Sequence, residues 1–323
     1  MNKAVLPVLE GLLRSEEPSI RYKARMYLLG EDPACAAMQT LRQEIRSSHR
    51  VRRLLSECRP DGTIPFHPYL KWRGAHWVLS LLAELEYPPG DASLAPLREQ
   101  VYQWLLSREH EKHIRLIQGR IRRCASQEGN AAYSLLKLGL ADERTKELIQ
   151  RLLKWQWPDG GWNCDKRPQA HNSSYYESWL PLRALNLYFR QTDDRQVRPA
   201  IDRAAELLLK RNLFLGIKNG EPIKPDFIQV SFPYFFFYNI LSALQVMMEI
   251  RLLHDSRCQR ALDLLSTKQL PDGSFPSEVK YYRVTSNPIS RTSTIDWGPC
   301  GPRKANEFVT LKALIVLKAA GRL

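Results

Sequence analysis

The chain has 323 residues, 44% of them hydrophobic, which is enough for one sizeable core or two small ones. Its formal charge is +14, from 48 basic and 34 acidic residues, so its surface attracts anions such as nucleic acid, phosphates or acidic lipid without choosing among them. Six cysteines, at 35, 58, 124, 164, 258 and 300, lack the spacing of a disulfide scaffold or a zinc ribbon and predict reduced thiols in a cytoplasm.

The opening segment "MNKAVLPVLEGLLRSEE" carries Glu10 and Glu16 and no small-residue cleavage site, which argues against a signal peptide. It predicts a degenerate helical pair, at about 4–14 and 18–29, within residues 1–40. Amphipathic helices with one charged face are expected at about 41–57, 94–107, 142–155, 196–211 and 256–267. Each is followed by a turn and then by a helix of small and apolar residues, at 72–85, 129–140, 174–189, 233–250 and 306–321. The first set reads as outer helices and the second as inner ones. The longest apolar run, "VSFPYFFFYNILSALQVMMEI", contains Pro233, Asn239 and Gln245 and reads as a buried helix rather than a membrane span.

The turns repeat. "LLSECRPDGTIPF", "LLKWQWPDGGWNC" and "LLSTKQLPDGSFP" each run from a helical Leu-Leu end into Pro-Asp-Gly, and "RRCASQEGN" reads as a degenerate copy. Proline cannot continue the helix and glycine supplies the turn dihedrals, so each copy stops an outer helix and re-aims the chain. In the richest copy, the segment from Trp155 to Trp162 is expected to be a structural clasp. About six helix pairs without a convincing strand predict an all-α domain over residues 1–323. The apolar, aromatic inner set favours closure into an α/α toroid over an open solenoid.

The stretch "KWQWPDGGW", 154–162, resembles the QW repeat of squalene-hopene and other triterpene cyclases, whose α/α toroid also occurs in protein prenyltransferase β subunits. The resemblance in helix-pair periodicity runs from about residue 40 onward, and the sharp motif covers about a tenth of the chain. It implies a central cavity for an apolar ligand of isoprenoid type. The acidic DxDD motif that starts polycyclisation in those cyclases is absent, and "TDD" at 192–194 reads as a solvated helix N-terminus. Protein prenyltransferases hold zinc with aspartate, cysteine and histidine. Here the spacing differs, and several ligand sets are open among Cys124, Cys164, Asp165, His171, Asp296 and Cys300, with Cys124, Cys164, His171 and Cys300 taken as the working set.

All loops that follow outer helices are expected to open on one face, where helix N-termini add a positive field suited to a diphosphate or another anion. Arg73, His76, Arg120, Arg123 and Asn306 are the candidate ligand-binding polar groups there, above aromatic walls that include Trp179, Tyr234 and Tyr238. Cys164, Asp165, His171, Glu128 and Glu177 are the candidates for acid–base or nucleophilic chemistry. The segment from Glu109 to Glu128 is too long for an ordinary helix connection and reads as a lid or site element, and the Pro- and Ser-rich insertion over 277–307 reads as functional or disordered. A second reading is a non-enzymatic basic helical-repeat module for nucleic acid. It draws on the +14 charge and "SHRVRRLL", but no reading motif accompanies them, so it ranks second.

Overall fold

A helix that is apolar on every side must be covered on every side, and this chain supplies such segments in alternation with amphipathic ones. The computed structural model describes residues 5–217 and 219–323. In chain order its main helices are α1 (Val5–Leu13), α2 (Pro18–Lys23, continued by a π-helical segment Ala24–Leu29), α3 (Ala36–Arg46), α4 (His49–Leu55), α5 (Ala75–Glu84) and α6 (Ala95–Leu105). The single turn α7 (Arg108–Glu111) precedes α8 (Ala125–Lys137), α9 (Glu143–Trp155), α10 (Tyr175–Thr192), α11 (Arg198–Leu209), α12 (Ile240–Glu249), α13 (Gln259–Ser266) and α14 (Glu307–Ala319).

The inner ring runs α2, α5, α8, α10, α12, α14, with each helix from α5 to α14 packed on the next. It closes because α14 packs against α2 and its π-helical continuation, where Lys318 Nζ donates to the carbonyl of Leu28 at 2.8 Å. On the other side Lys23 Nζ donates to the carbonyl of Glu84, joining α2 to α5. The protein is therefore an all-α toroid of six helix pairs. Ala75 through Ala83 of α5 and Phe308 through Leu317 of α14 are buried without a break, as an inner position requires. By contrast, α9 buries Thr145, Leu148, Ile149, Leu152 and Trp155, one stripe at helical spacing, and leaves its other face to solvent. No helix among the described residues is long and apolar enough to cross a membrane.

The three Pro-Asp-Gly turns share one hydrogen-bond pattern. Trp157 N donates to Gly161 O at 2.7 Å and Gly160 N to Trp157 O at 2.9 Å; Arg59 with Thr63 and Gly62, and Leu270 with Ser274 and Gly273, repeat both bonds. Gln156 then ties the richest copy to its neighbour, donating to Gly160 O at 2.7 Å and to Ala200 O on α11 at 2.8 Å. Gly160 sits at φ +101°, and a Cβ there would lie 2.3 Å from the carbonyl oxygen of Arg203. The tryptophans are structural: Trp157 and Trp162 are buried, and their indole N–H groups donate to Ile121 O and Leu152 O.

Three expectations are corrected. The outer helix expected at 41–57 is two, because Ser48 breaks the run and caps α4 through its hydroxyl on Val51 N. The inner helix expected at 233–250 begins only at Ile240. Pro233 and a left-handed Phe235 (φ 51°) keep the aromatic run irregular until Asn239 caps α12 in a capping box with Ser242. The long segments hold short strands: β1 (Arg115–Ile117) pairs antiparallel with β2 (Arg120–Arg122), and β3 (Arg283–Val284) pairs parallel with β4 (Thr292–Ser293).

Candidate functional site

At the end of the toroid where inner helices begin, α8 and α10 lie side by side. Cys124 is the N-cap position of α8 and Glu177 is in the first turn of α10. The loop after the α9 clasp brings Cys164 between them, anchored where Arg123 N donates to Asn163 O at 3.1 Å. The donor atoms of Cys124, Cys164 and Glu177 all fall within 4.8 Å of one another. One carboxylate oxygen of Glu177 accepts from Ser126 N at 3.0 Å, and the other faces the Cys164 thiol at 3.5 Å. Burial pushes the Glu177 carboxyl above its ordinary range against those bonds. The bond to Cys164, then burial, then the charge of Glu177 push the Cys124 thiol up.

A second polar layer backs this cluster. Glu128 is fully buried; one oxygen lies 2.7 Å from His110 Nε2 and 3.6 Å from Arg123 Nε, while the other has no partner. Arg123 also donates to Gln127 at 2.7 Å and to His110. On the outer side lies Lys71, half-buried, with its ammonium 4.5 Å from the centre of the Phe236 ring and 5.9 Å from that of Tyr69. Burial lowers its pKa, Arg291 lowers it further, and Cys124 and Glu177 oppose both. Around it is a half-exposed aromatic platform: Phe236 stacks on Phe237 at 4.6 Å, Phe237 on Tyr281 at 3.6 Å, and Tyr176 meets both phenylalanines edge-on at 6.2 Å.

The other expected site residues lie elsewhere. His171 is exposed and outside the cluster, Asp165 turns away to pair with Arg167 at 2.6 Å, and Cys300 sits in the far loop near Lys280, Lys304 and Asp296. Arg73 pairs with Glu57 and donates to Ser286 O at 3.0 Å, stitching down the long loop before α14. His76 is buried between Trp77, Tyr69 and Trp104 and is bonded to Asn130 at 2.9 Å. Asn306 caps α14, Tyr238 donates to Leu213 O at 2.6 Å, and Trp179 donates to Phe236 O at 3.0 Å. Arg120 lies over the Trp157 ring at 5.7 Å. Tyr234 is buried with its hydroxyl unpartnered.

The largest departure concerns the cavity. Below the mouth the buried rings of Trp72, Trp77 and Phe235, and of Trp179 and Tyr234, pack on one another, and the central cavity, about 350 Å³, lies at the opposite end, between the C-terminal halves of the inner helices. Its floor is an ion-pair network on an aromatic layer. Arg183, 2% exposed, pairs with Glu84 and Glu249, both at 2.7 Å, and donates to the phenol oxygen of Tyr133 at 2.7 Å. Lys312 pairs with Glu84 at 2.7 Å and stands 4.8 Å over the Tyr234 ring. Burial pushes the Glu84 carboxyl up, but Lys312, Arg183 and Lys23 together hold it well below the usual range. These charges had a signal in the sequence, since Glu84, Arg183, Glu249 and Lys312 interrupt otherwise apolar inner segments. His110 had none.

No family model matches the chain, and no curated protein matches it. Among solved structures it is similar to a glycosyl hydrolase of family 88 from Bacteroides vulgatus, at 12% identity over 95% of this chain and 90% of that one, TM-score 0.47. It is also similar to a type II terpene cyclase from Scytonema in complex with merosterolic acid A, at 15% identity over 99% of this chain and all (100%) of that one, TM-score 0.44.

Proposed function

We propose that the protein is a metal-dependent toroid enzyme whose reaction takes place at the inner-helix N-terminal end, on a ligand with an apolar or aromatic body. The observation that carries this reading is the convergence of Cys124, Cys164 and Glu177 from three separate segments. Two thiols and a carboxylate suit zinc, and three protein ligands with a free position are the pattern of catalytic rather than structural sites. The donor chemistry fits: burial makes Glu177 hold its proton more tightly, the bond to Cys164, burial and the charge of Glu177 do the same for the Cys124 thiol, and a divalent cation would offset both by favouring the ionised forms. Zinc bound there would supply Lewis-acid polarisation of a group at the open position.

The chain's own residues complete the arrangement. Ser126 N fixes one Glu177 oxygen, leaving the other turned to the thiols. Glu128, held by His110 and Arg123, backs the ligands with one carboxylate oxygen left unbonded. Lys71 offers an ammonium on the outer side, where a polar or anionic ligand group would meet it while the ligand's body lay on Phe236, Phe237, Tyr176 and Tyr281. His171 and Cys300 have no part in this reading. Titration with cobalt(II) tests it: thiolate-to-metal charge-transfer absorption should appear in the wild type and vanish in Cys124→Ser and Cys164→Ser. An equal spectrum in those variants would defeat the assignment.

A further inference from the structure

The cavity at the other end of the toroid is a separate site. Its three carboxylates each have a cation: Glu84 pairs with Arg183 and Lys312, Glu249 with Arg183, and Glu86 with Lys137 at 2.9 Å. That leaves Lys23, Arg190 and Arg251 on the lining with no carboxylate within ion-pair distance among the described residues. Lys23 is the informative one. It is 7% exposed and its ammonium uses one acceptor, the Glu84 carbonyl; the like charges of Lys312 and Lys137 bear on it from one side and the carboxylates of Glu86 and Glu84, each already paired with another cation, from the other. An amine with three donors, buried and facing open volume with two of them unbonded, gains from an anion that joins it, because the lining carries six cations, Lys23, Lys137, Arg183, Arg190, Arg251 and Lys312, against three carboxylates. The C-terminal ends of six inner helices offset part of the excess, but a macrodipole end amounts to only about half a charge and acts over one turn. Arg190 and Arg251 stand at the rim, on α10 and just after α12, where they would meet an entering anion first. The volume, about 350 Å³, is that of a small-molecule site rather than a packing defect.

We infer that this cavity binds a small organic anion, a carboxylate or phosphate, whose charged group sits between Lys23 and Lys312 and whose outer end meets Arg190 and Arg251. Tyr27, Asn186 and Gln245 line the same cavity and give it further polar groups. The inference does not rest on the metal reading, because no member of the Cys124 cluster lines the cavity.

Calorimetric titration of the full chain with orthophosphate, succinate and glucuronate, at constant ionic strength and with chelator present, tests it. At least one of the three should bind saturably, and Lys23→Met or Arg251→Ala should weaken that binding roughly tenfold or more. Arg251→Ala lies on the exposed rim and keeps the test open if Lys23→Met fails to fold. Absence of binding by all three anions, or binding that neither variant weakens, overturns the inference.

Discussion

His76 shows at the scale of one residue how burial, not sequence position, decides a role. As a histidine near an inner-helix start it reads as a ligand group; in the fold it is walled by three aromatic rings, and burial, with the nearby His110, lowers its pKa to about 3. The unfolded chain therefore binds a proton between pH 6.5 and 3 that the folded one refuses, so stability falls as pH drops through that window, by on the order of 4–5 kcal/mol in total. Urea midpoints measured from pH 7 to pH 4 should decline steeply in the wild type and less so in His76→Gln, which cannot take up the proton; parallel slopes would contradict this. The sequence showed Cys124, Cys164, Glu128 and Glu177 as candidates because unusual residue types flank helix starts. It could not separate them from Asp165 and His171, whose side chains leave the same loop in other directions.

At the scale of elements, the contact between α8 and α10 sets the geometry of the cysteine site. Gly129 lies in α8 where alanine would normally stabilise a helix by about 1 kcal/mol. A Cβ at that position would lie 2.5 Å from the nitrogen of Pro181, and backbone cannot move aside as a side-chain tip can. The overpacking cost, about 1–3 kcal/mol or more, exceeds the propensity gain. Gly129→Ala should thus lower stability and, by forcing α8 and α10 apart, weaken cobalt binding at Cys124 and Glu177; a stabilised variant would show that the contact is looser than drawn. Helix pairs and their turns were legible because apolar periodicity and Pro-Asp-Gly are local signals. The aromatic run before α12 was misread because its composition suits a buried helix, whereas Pro233, Phe235 and the Asn239 cap decide its path.

At the scale of the molecule, closure of the ring concentrates charge where the sequence reading expected only apolar wall. Arg183 links α10 to α5 and α12 through Glu84 and Glu249, so Arg183→Met leaves the partly buried Glu249 carboxylate without its cation and with only Gln245 at 2.9 Å to bond it. That single change should cost about 3–5 kcal/mol, and Arg183→Met with Glu249→Leu should cost less than the single one. Thermal or urea unfolding of both variants checks the order, and a single variant losing under about 1 kcal/mol would mean the network is solvated. Which end of a toroid opens is a property of how six helices converge, and no local pattern carries it. The central claim, a metal site at the opposite end, is tested most directly by the metal content of the purified protein after exposure to zinc and removal of excess. The account predicts about one tightly held zinc per chain in the wild type and almost none in the Cys124→Ser/Cys164→Ser variant, with the same helical circular dichroism. No retained zinc in the wild type, or equal zinc in both, would contradict it.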